Sequence, residues 1–182
     1  MKLTSPNFGH NGNIPSEFTC DGINISPELH ISDVPKNAKS LVLVMDDPDA
    51  IPVAGHVWDH WVVWNISPDT KIIQKGKEPF GTQGLTSFKR TGYGGPCPPN
   101  GLHKYIFKLY ALDIVLNIPE KSNKIQLESA MKNRIVEKTE LAGTYLMKKF
   151  QKLIFISCQV CICSAEFQIK YKQDFKMLQS LF

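Results

Sequence analysis

Two carboxylates and two histidines are the side chains best placed by type and spacing to do chemistry in this 182-residue chain. Asp47 and Asp49 flank Pro48 just beyond an apolar run, in a loop whose shape the proline helps set. His60 opens the next apolar run and His103 opens a third. If the three runs are neighbouring strands, Asp47, Asp49, His60 and His103 converge at one end of a sheet, and Trp58 and Tyr105 stand as walls. The stretch before His103, RTGYGGPCPPNG, packs Gly92, Gly94, Gly95 and Gly101 around Pro96, Pro98 and Pro99. Glycines free to take positive φ, stiffened by prolines, make a loop able to hold one histidine at a strand entrance.

Several chemistries compete for these residues. A glycine-rich turn can direct successive N–H groups at an anion, and Tyr93-Gly94-Gly95 is the candidate nest. His60 and His103 can donate to an anionic oxygen when protonated. Asp47 and Asp49 would orient them or accept from a ligand ammonium. This combination suits a small zwitterionic or phosphate-bearing head group. The loop is not a P-loop, because no Gly-Lys-Ser/Thr follows. Two histidines and a carboxylate can hold a metal, but no HxH or HExxH pair exists, so no metal or cofactor is expected. Cys97 would need an adjacent base to act as a nucleophile, and reads instead as a small buried thiol among prolines. The plainer reading of Asp-Pro-Asp is a turn whose aspartates cap the local backbone.

The elements that must position these groups are mainly strands. Residues 40–47 and 60–66 read as strands buried on both faces, and 105–113 as an alternating strand with Tyr105, Phe107, Leu109 and Ala111 on one face. One helix is expected from about Ser122, its N-cap, to Lys138, followed by a late strand around ELAGTYLM. The fold class is mainly β: an antiparallel sandwich with small flanking helices. Residues 151–182 contain no Gly or Pro, hold Cys158, Cys161 and Cys163, and show mixed periodicity. They read as an appendage that packs poorly, which sets the domain at 1–149 and the extension at 150–182.

Composition narrows the function. The chain is 42% hydrophobic and 21% charged, with a net charge of +4 spread evenly, which argues for a globular domain and against nucleic acid. No apolar run is long enough to span a membrane, and the N-terminus lacks the apolar core of a signal peptide. A cytoplasmic protein with reduced thiols is therefore the expectation.

Three motifs then resemble the phosphatidylethanolamine-binding protein family, in its bacterial and archaeal Raf-kinase-inhibitor-like branch. They are CDGINISPEL at Cys20–Leu29, DDPDA with WDHWVVWNI within Asp46–Ile66, and GYGGPCPPNGLHKYIFKLYAL at Gly92–Leu112; ELAGTY at Glu140–Tyr145 matches a closing strand. The resemblance covers about residues 1–149. It implies a β-sandwich with an anion-binding pocket at one sheet end, lined by Asp47, Asp49, His60, Gly95, Pro96 and His103, with Trp58 and Tyr105 as aromatic lining. It further implies non-catalytic binding of a phosphate-like or phospholipid head group, and homodimers in some members. The alternatives are a protein-interaction module that inhibits a kinase or protease, and a hydrolase working through metal or Cys97. The chain departs from the pattern at Lys89, where a glycine is common, and in a longer loop from Ile51 to Val57.

Overall fold

The computed structural model describes residues 1–148. Nine strands run in chain order: β1 (Lys2–Thr4), β2 (Gly12–Asn13), β3 (Leu29–Ser32), β4 (Ser40–Asp47), β5 (Trp58–Ile66), β6 (Ile72–Ile73), β7 (Thr82–Gln83), β8 (Leu102–Leu112) and β9 (Ile135–Leu146). Two short helices accompany them, α1 (Ile51–Ala54) and α2 (Lys124–Met131). One sheet has the order β1-β3-β6 and the other β2-β9-β8-β4-β5-β7. The architecture is the expected sandwich. Its ladders are antiparallel except for β2, which runs parallel to β9.

The doubly apolar strands have a direct cause. Leu41, Leu43 and Met45 of β4, with Trp61 and Val63 of β5 and Phe107 and Leu109 of β8, face the smaller sheet and bury Leu3, Leu29, Ile31 and Ile73 against themselves. The alternate residues Val42, Val44, Val62 and Trp64 face the other way and are covered by Leu116 and by Leu127 and Met131 of α2. A central strand with cover on both faces has no solvent side, so its sequence reads as a continuous apolar run. In β8, Tyr105, Phe107, Leu109 and Ala111 are all fully buried, as alternation predicts, and His103 shares their face.

Three expectations are corrected. The helix is shorter than the periodicity suggests and is capped by Asn123, not Ser122. The Asn123 side chain accepts from Gln126 N while the Gln126 side chain accepts from Asn123 N. Asn133, at φ 62°, then reverses the chain, and Ile135 onward pairs with β8 along its whole length. The ladder overrides the local helical period. Second, Cys97 is neither buried nor a free thiol: it is exposed and joined to Cys20, 77 residues away, in a disulfide. The expectation of reduced thiols thus fails for this pair. Third, the Ile51–Val57 extension is not a plain loop. It continues a 3-10 turn at Pro48–Ala50 into α1 and ends at Gly55 with φ 77°. The expected extension at 150–182 lies outside the described residues. No helix among the described residues is long and apolar enough to cross a membrane.

A cross-link closing so long a loop contributes about 4 kcal/mol when treated as lost chain entropy in the unfolded state. The double variant Cys20→Ser/Cys97→Ser is expected to fold but to lose about 2–4 kcal/mol in urea unfolding. An unchanged midpoint would refute this stabilising role.

Candidate functional site

The site begins with a fault in the β4–β5 ladder. Met45 pairs with Trp61, but Asp46 pairs with Asp59, so His60 is the extra residue of a bulge. Strict alternation would put His60 with Val62 and Trp64 on the α2 face. The bulge turns it to the sandwich side instead, where its ring meets Tyr105 edge-on at 5.2 Å and Phe88 at 5.3 Å. On the opposite face Asp59 is held by Lys124 Nζ at 2.6 Å, and Lys124 also reaches Asp46 Oδ2, which Lys108 binds at 2.6 Å. Burial alone would lower the Lys124 ammonium, but the hydrogen bond to Asp59 and the charge of Asp46 outweigh it and raise it.

His60 Nδ1 donates to the Gly94 carbonyl at 2.6 Å. That bond fixes the neutral tautomer and leaves Nε2 without a partner among the described residues. Burial pushes the imidazole below its ordinary value of 6.5, against the opposing pull of Gly94 and of Asp47, Asp59 and Asp46. His103 is buried and its Nδ1 donates to Asp47 Oδ2 at 2.7 Å; its Nε2 stands 3.4 Å from Asn100 Oδ1. Asp47 Oδ1 meanwhile accepts from Asp49 N and caps the Pro48–Ala50 turn. Asp47 thus fills the structural and the candidate functional role at once. Tyr105 lies between the two histidines. Its hydroxyl is buried beside Asp47 and the Cys97 backbone and makes no close hydrogen bond among the described residues. Burial, reinforced by the Asp47 charge, pushes it far up, so it is always a donor.

Asp47, His60 and Tyr105 open on a cavity of about 320 Å³. Asp47, Trp58, His60 and Tyr105 line it, as read from sequence. Phe88, Cys97, Pro99 and the α1 residues Val53 and Ala54 line it too, and sequence reasoning did not single them out for it. Exposed Val53 carried no signal except the lengthened loop that contains it. Asp49, Gly95, Pro96 and His103 are not on the wall; His103 stands behind Asp47, which it binds. Asp49 Oδ2 accepts from Lys104 N and ties the entrance of β8.

The expected anion nest is corrected as well. Tyr93 N is bound by Glu78, Gly94 N by the His60 carbonyl and Gly95 N by the Asn24 side chain. Every N–H of that turn is spent within the protein. The glycines serve close packing: a Cβ on Gly94 would lie 2.4 Å from the Phe88 ring, and one on Gly95 would lie 2.2 Å from the Phe18 carbonyl. Among the described residues no group of three His, Cys, Asp or Glu side chains could hold a metal ion.

Fold and site together define a β-sandwich protein with a largely apolar cavity at one sheet end and an Asp–His pair, a neutral histidine and an unpaired tyrosine at its polar side. Residues 4–146 match the family model described as phosphatidylethanolamine-binding protein. A UPF0098 protein of Chlamydia trachomatis is 45% identical over 147 residues, covering 80% of this chain and 98% of its own length. Another, from the archaeon Methanothermobacter thermautotrophicus, is 44% identical over 151 residues, with 80% and 98% covered. Among solved structures, a phosphatidylethanolamine-binding protein homologue from Chlamydia trachomatis superposes with a TM-score of 0.77 at 43% identity, covering 80% of this chain and 97% of that one. YbcL of Escherichia coli, described as a member of the mammalian family, gives 0.73 at 30% identity, with 81% and 98% covered. The chain belongs to the phosphatidylethanolamine-binding protein family.

Two outcomes test the site's physics. Because His60 is held neutral, the unfolded chain binds its proton first as pH falls below 6.5. The wild type should lose stability relative to His60→Gln from there down to the lowered folded value, measured as unfolding free energy against pH. Parallel profiles would exclude a depressed His60. Separately, Lys89 sits at φ 60°, a left-handed conformation that costs a side-chain-bearing residue energy. Lys89→Gly should stabilise by about 0.5–1 kcal/mol after its own entropy cost, seen as a higher denaturation midpoint.

Proposed function

We propose that this protein binds, without catalysis, a small ligand bearing a phosphate-like head group, which enters the cavity head first. The binding unit is residues 1–149, with 150–182 as an extension. The observation that carries the reading is the Tyr105 hydroxyl, a buried group at the cavity wall that makes no close hydrogen bond among the described residues. Leaving such a group unpaired costs about 1–3 kcal/mol, which a ligand oxygen recovers. His60 Nε2 supplies the second contact. It accepts from a protonated ligand oxygen, or donates once protonated, so binding to an anion takes up a proton. The Asp47–His103 pair sets the polar edge of the site, and Trp58 and Phe88 cover the apolar part of the ligand. Asp49, Gly95 and Pro96 act by holding the walls. Family membership supports a binding role. A hydrolase working through Cys97 has no support, since its sulfur is bonded to Cys20.

The test is calorimetric titration with O-phosphoethanolamine and with inorganic phosphate across pH, in buffers of different ionisation enthalpy. Binding should tighten as pH falls and show net proton uptake. Tyr105→Phe should weaken it by about tenfold while leaving stability equal or higher, because the variant removes an unpaired polar group. Affinity unchanged in Tyr105→Phe would overturn the reading.

A further inference from the structure

The Cys20–Cys97 disulfide is more than a brace. Both of its residues are exposed, and Cys97 also lines the cavity. Exposed disulfides are the labile ones, open to attack by small thiolates. This one stands where such a thiolate has a cavity to approach through. We propose that the disulfide is a thiol–disulfide exchange site for a small-molecule thiol, entered at Cys97, and that its opening loosens Pro99–Gly101 and reshapes the cavity wall beside Tyr105.

The placement of the other anchors makes the effect local. On the N-terminal side of Cys97 the loop is held independently. Tyr93 Oη donates to the Phe18 carbonyl at 2.8 Å, Gly95 N to Asn24 at 2.8 Å, and Cys20 N to the Pro96 carbonyl at 3.0 Å. The Gly94 carbonyl stays on His60. Beyond Cys97, the described residues give Pro98–Gly101 one hydrogen bond, between Asn100 Oδ1 and His103 Nε2 at 3.4 Å. Pro99, Asn100 and Gly101 are exposed, and Pro99 forms part of the cavity wall. Apart from the buried ring of Pro98, the disulfide is thus the last firm anchor before β8. Losing it leaves the histidines, the bulge and the two cores in place and releases only the segment that carries Pro99.

The chemistry balances. A thiolate of the small molecule attacks Cys97 Sγ. The S–S bond breaks, a mixed disulfide forms on Cys97, and Cys20 leaves as a thiolate that takes up a proton. A second thiolate attacks the small molecule's sulfur in that mixed disulfide. Cys97 departs as a thiolate and is protonated, and the small molecule leaves as its own disulfide. Two thiols give up two electrons in total, and the protein disulfide becomes two thiols.

The test uses the full chain in native buffer with reduced glutathione, quenched by alkylation and mapped by peptide mass spectrometry, which also separates Cys158, Cys161 and Cys163. A glutathione adduct on Cys97 with Cys20 alkylated is the expected intermediate. After full reduction, the 15N heteronuclear NOE should fall at Asn100 and Gly101, whose exposed amides carry no hydrogen bond, while Tyr93–Gly95 keeps its rigid values. A disulfide that resists glutathione in the folded protein, an adduct on Cys20 in place of Cys97, or an unchanged NOE at Asn100 and Gly101 would each overturn the proposal. The consequence for ligand affinity rests on the binding reading above: O-phosphoethanolamine should bind about tenfold more weakly to the reduced protein, a coupling of ordinary size. The two ideas fail separately, because adduct mapping and the NOE are read without ligand. If neither redox form binds O-phosphoethanolamine while Cys97 still exchanges, the binding reading is lost and the exchange site stands.

Discussion

One extra residue in β5 governs the polar end of this molecule. The bulge opposite Met45 and Asp46 breaks the alternation of a strand that is otherwise buried on both sides. Asp59 keeps to the α2 face, where Lys124 holds it, and His60 is turned to the other. Without that turn the imidazole would lie among Val62 and Trp64, and the cavity would lose its neutral nitrogen. The Gly-Pro loop completes the placement, since its Gly94 carbonyl takes the Nδ1 proton. That carbonyl reaches the ring because Gly94 packs where a Cβ would collide with Phe88. Bulge, glycine and tautomer are therefore one device, and it places Nε2 where none of the described residues answers it.

The cavity joins two kinds of surface that a folded protein normally keeps apart. Most of its wall is aromatic or aliphatic, with Trp58, Phe88, Val53 and Pro99. Set into it are Asp47, His60 and a tyrosine whose hydroxyl is left unpaired. Buried polar groups are ordinarily satisfied, so an unpaired donor at a cavity wall is a cost carried by the fold. Such a cost makes sense where another molecule supplies the acceptor. The disulfide closes the same wall from outside and ties it to the segment after Phe18.

Much of this was legible in the residues, for reasons that can be named. The runs SLVLVMDD and HWVVWNI announced central strands because cover on both faces removes the polar alternation. Alternation along β8 placed Tyr105 with Phe107 and Leu109, and the Asp-Pro-Asp turn marked a strand end beside it. The helical pattern runs past Met131 because residues 132–138 share a helical period with Leu127 and Met131. Only Asn133 at positive φ and eleven residues of pairing partner in β8 make them turn and strand. The glycines of Tyr93-Gly94-Gly95 looked like an anion nest because composition reports freedom of the backbone. It does not report whether its N–H groups are already taken.

The sequence by itself determined the class of fold, the family, and which titratable groups stand at strand ends. The fold class and the strand-end groups follow from local periodicity and turn chemistry, and the family from resemblance of contiguous motifs, all of which neighbouring residues carry. Tertiary structure alone decided three things: that His60 faces the cavity, that Cys20 meets Cys97, and that the loop's amides are spent inward. Each depends on segments far apart in the chain meeting to within a few ångströms. A one-residue bulge or a bond across 77 residues leaves no periodic mark in the sequence.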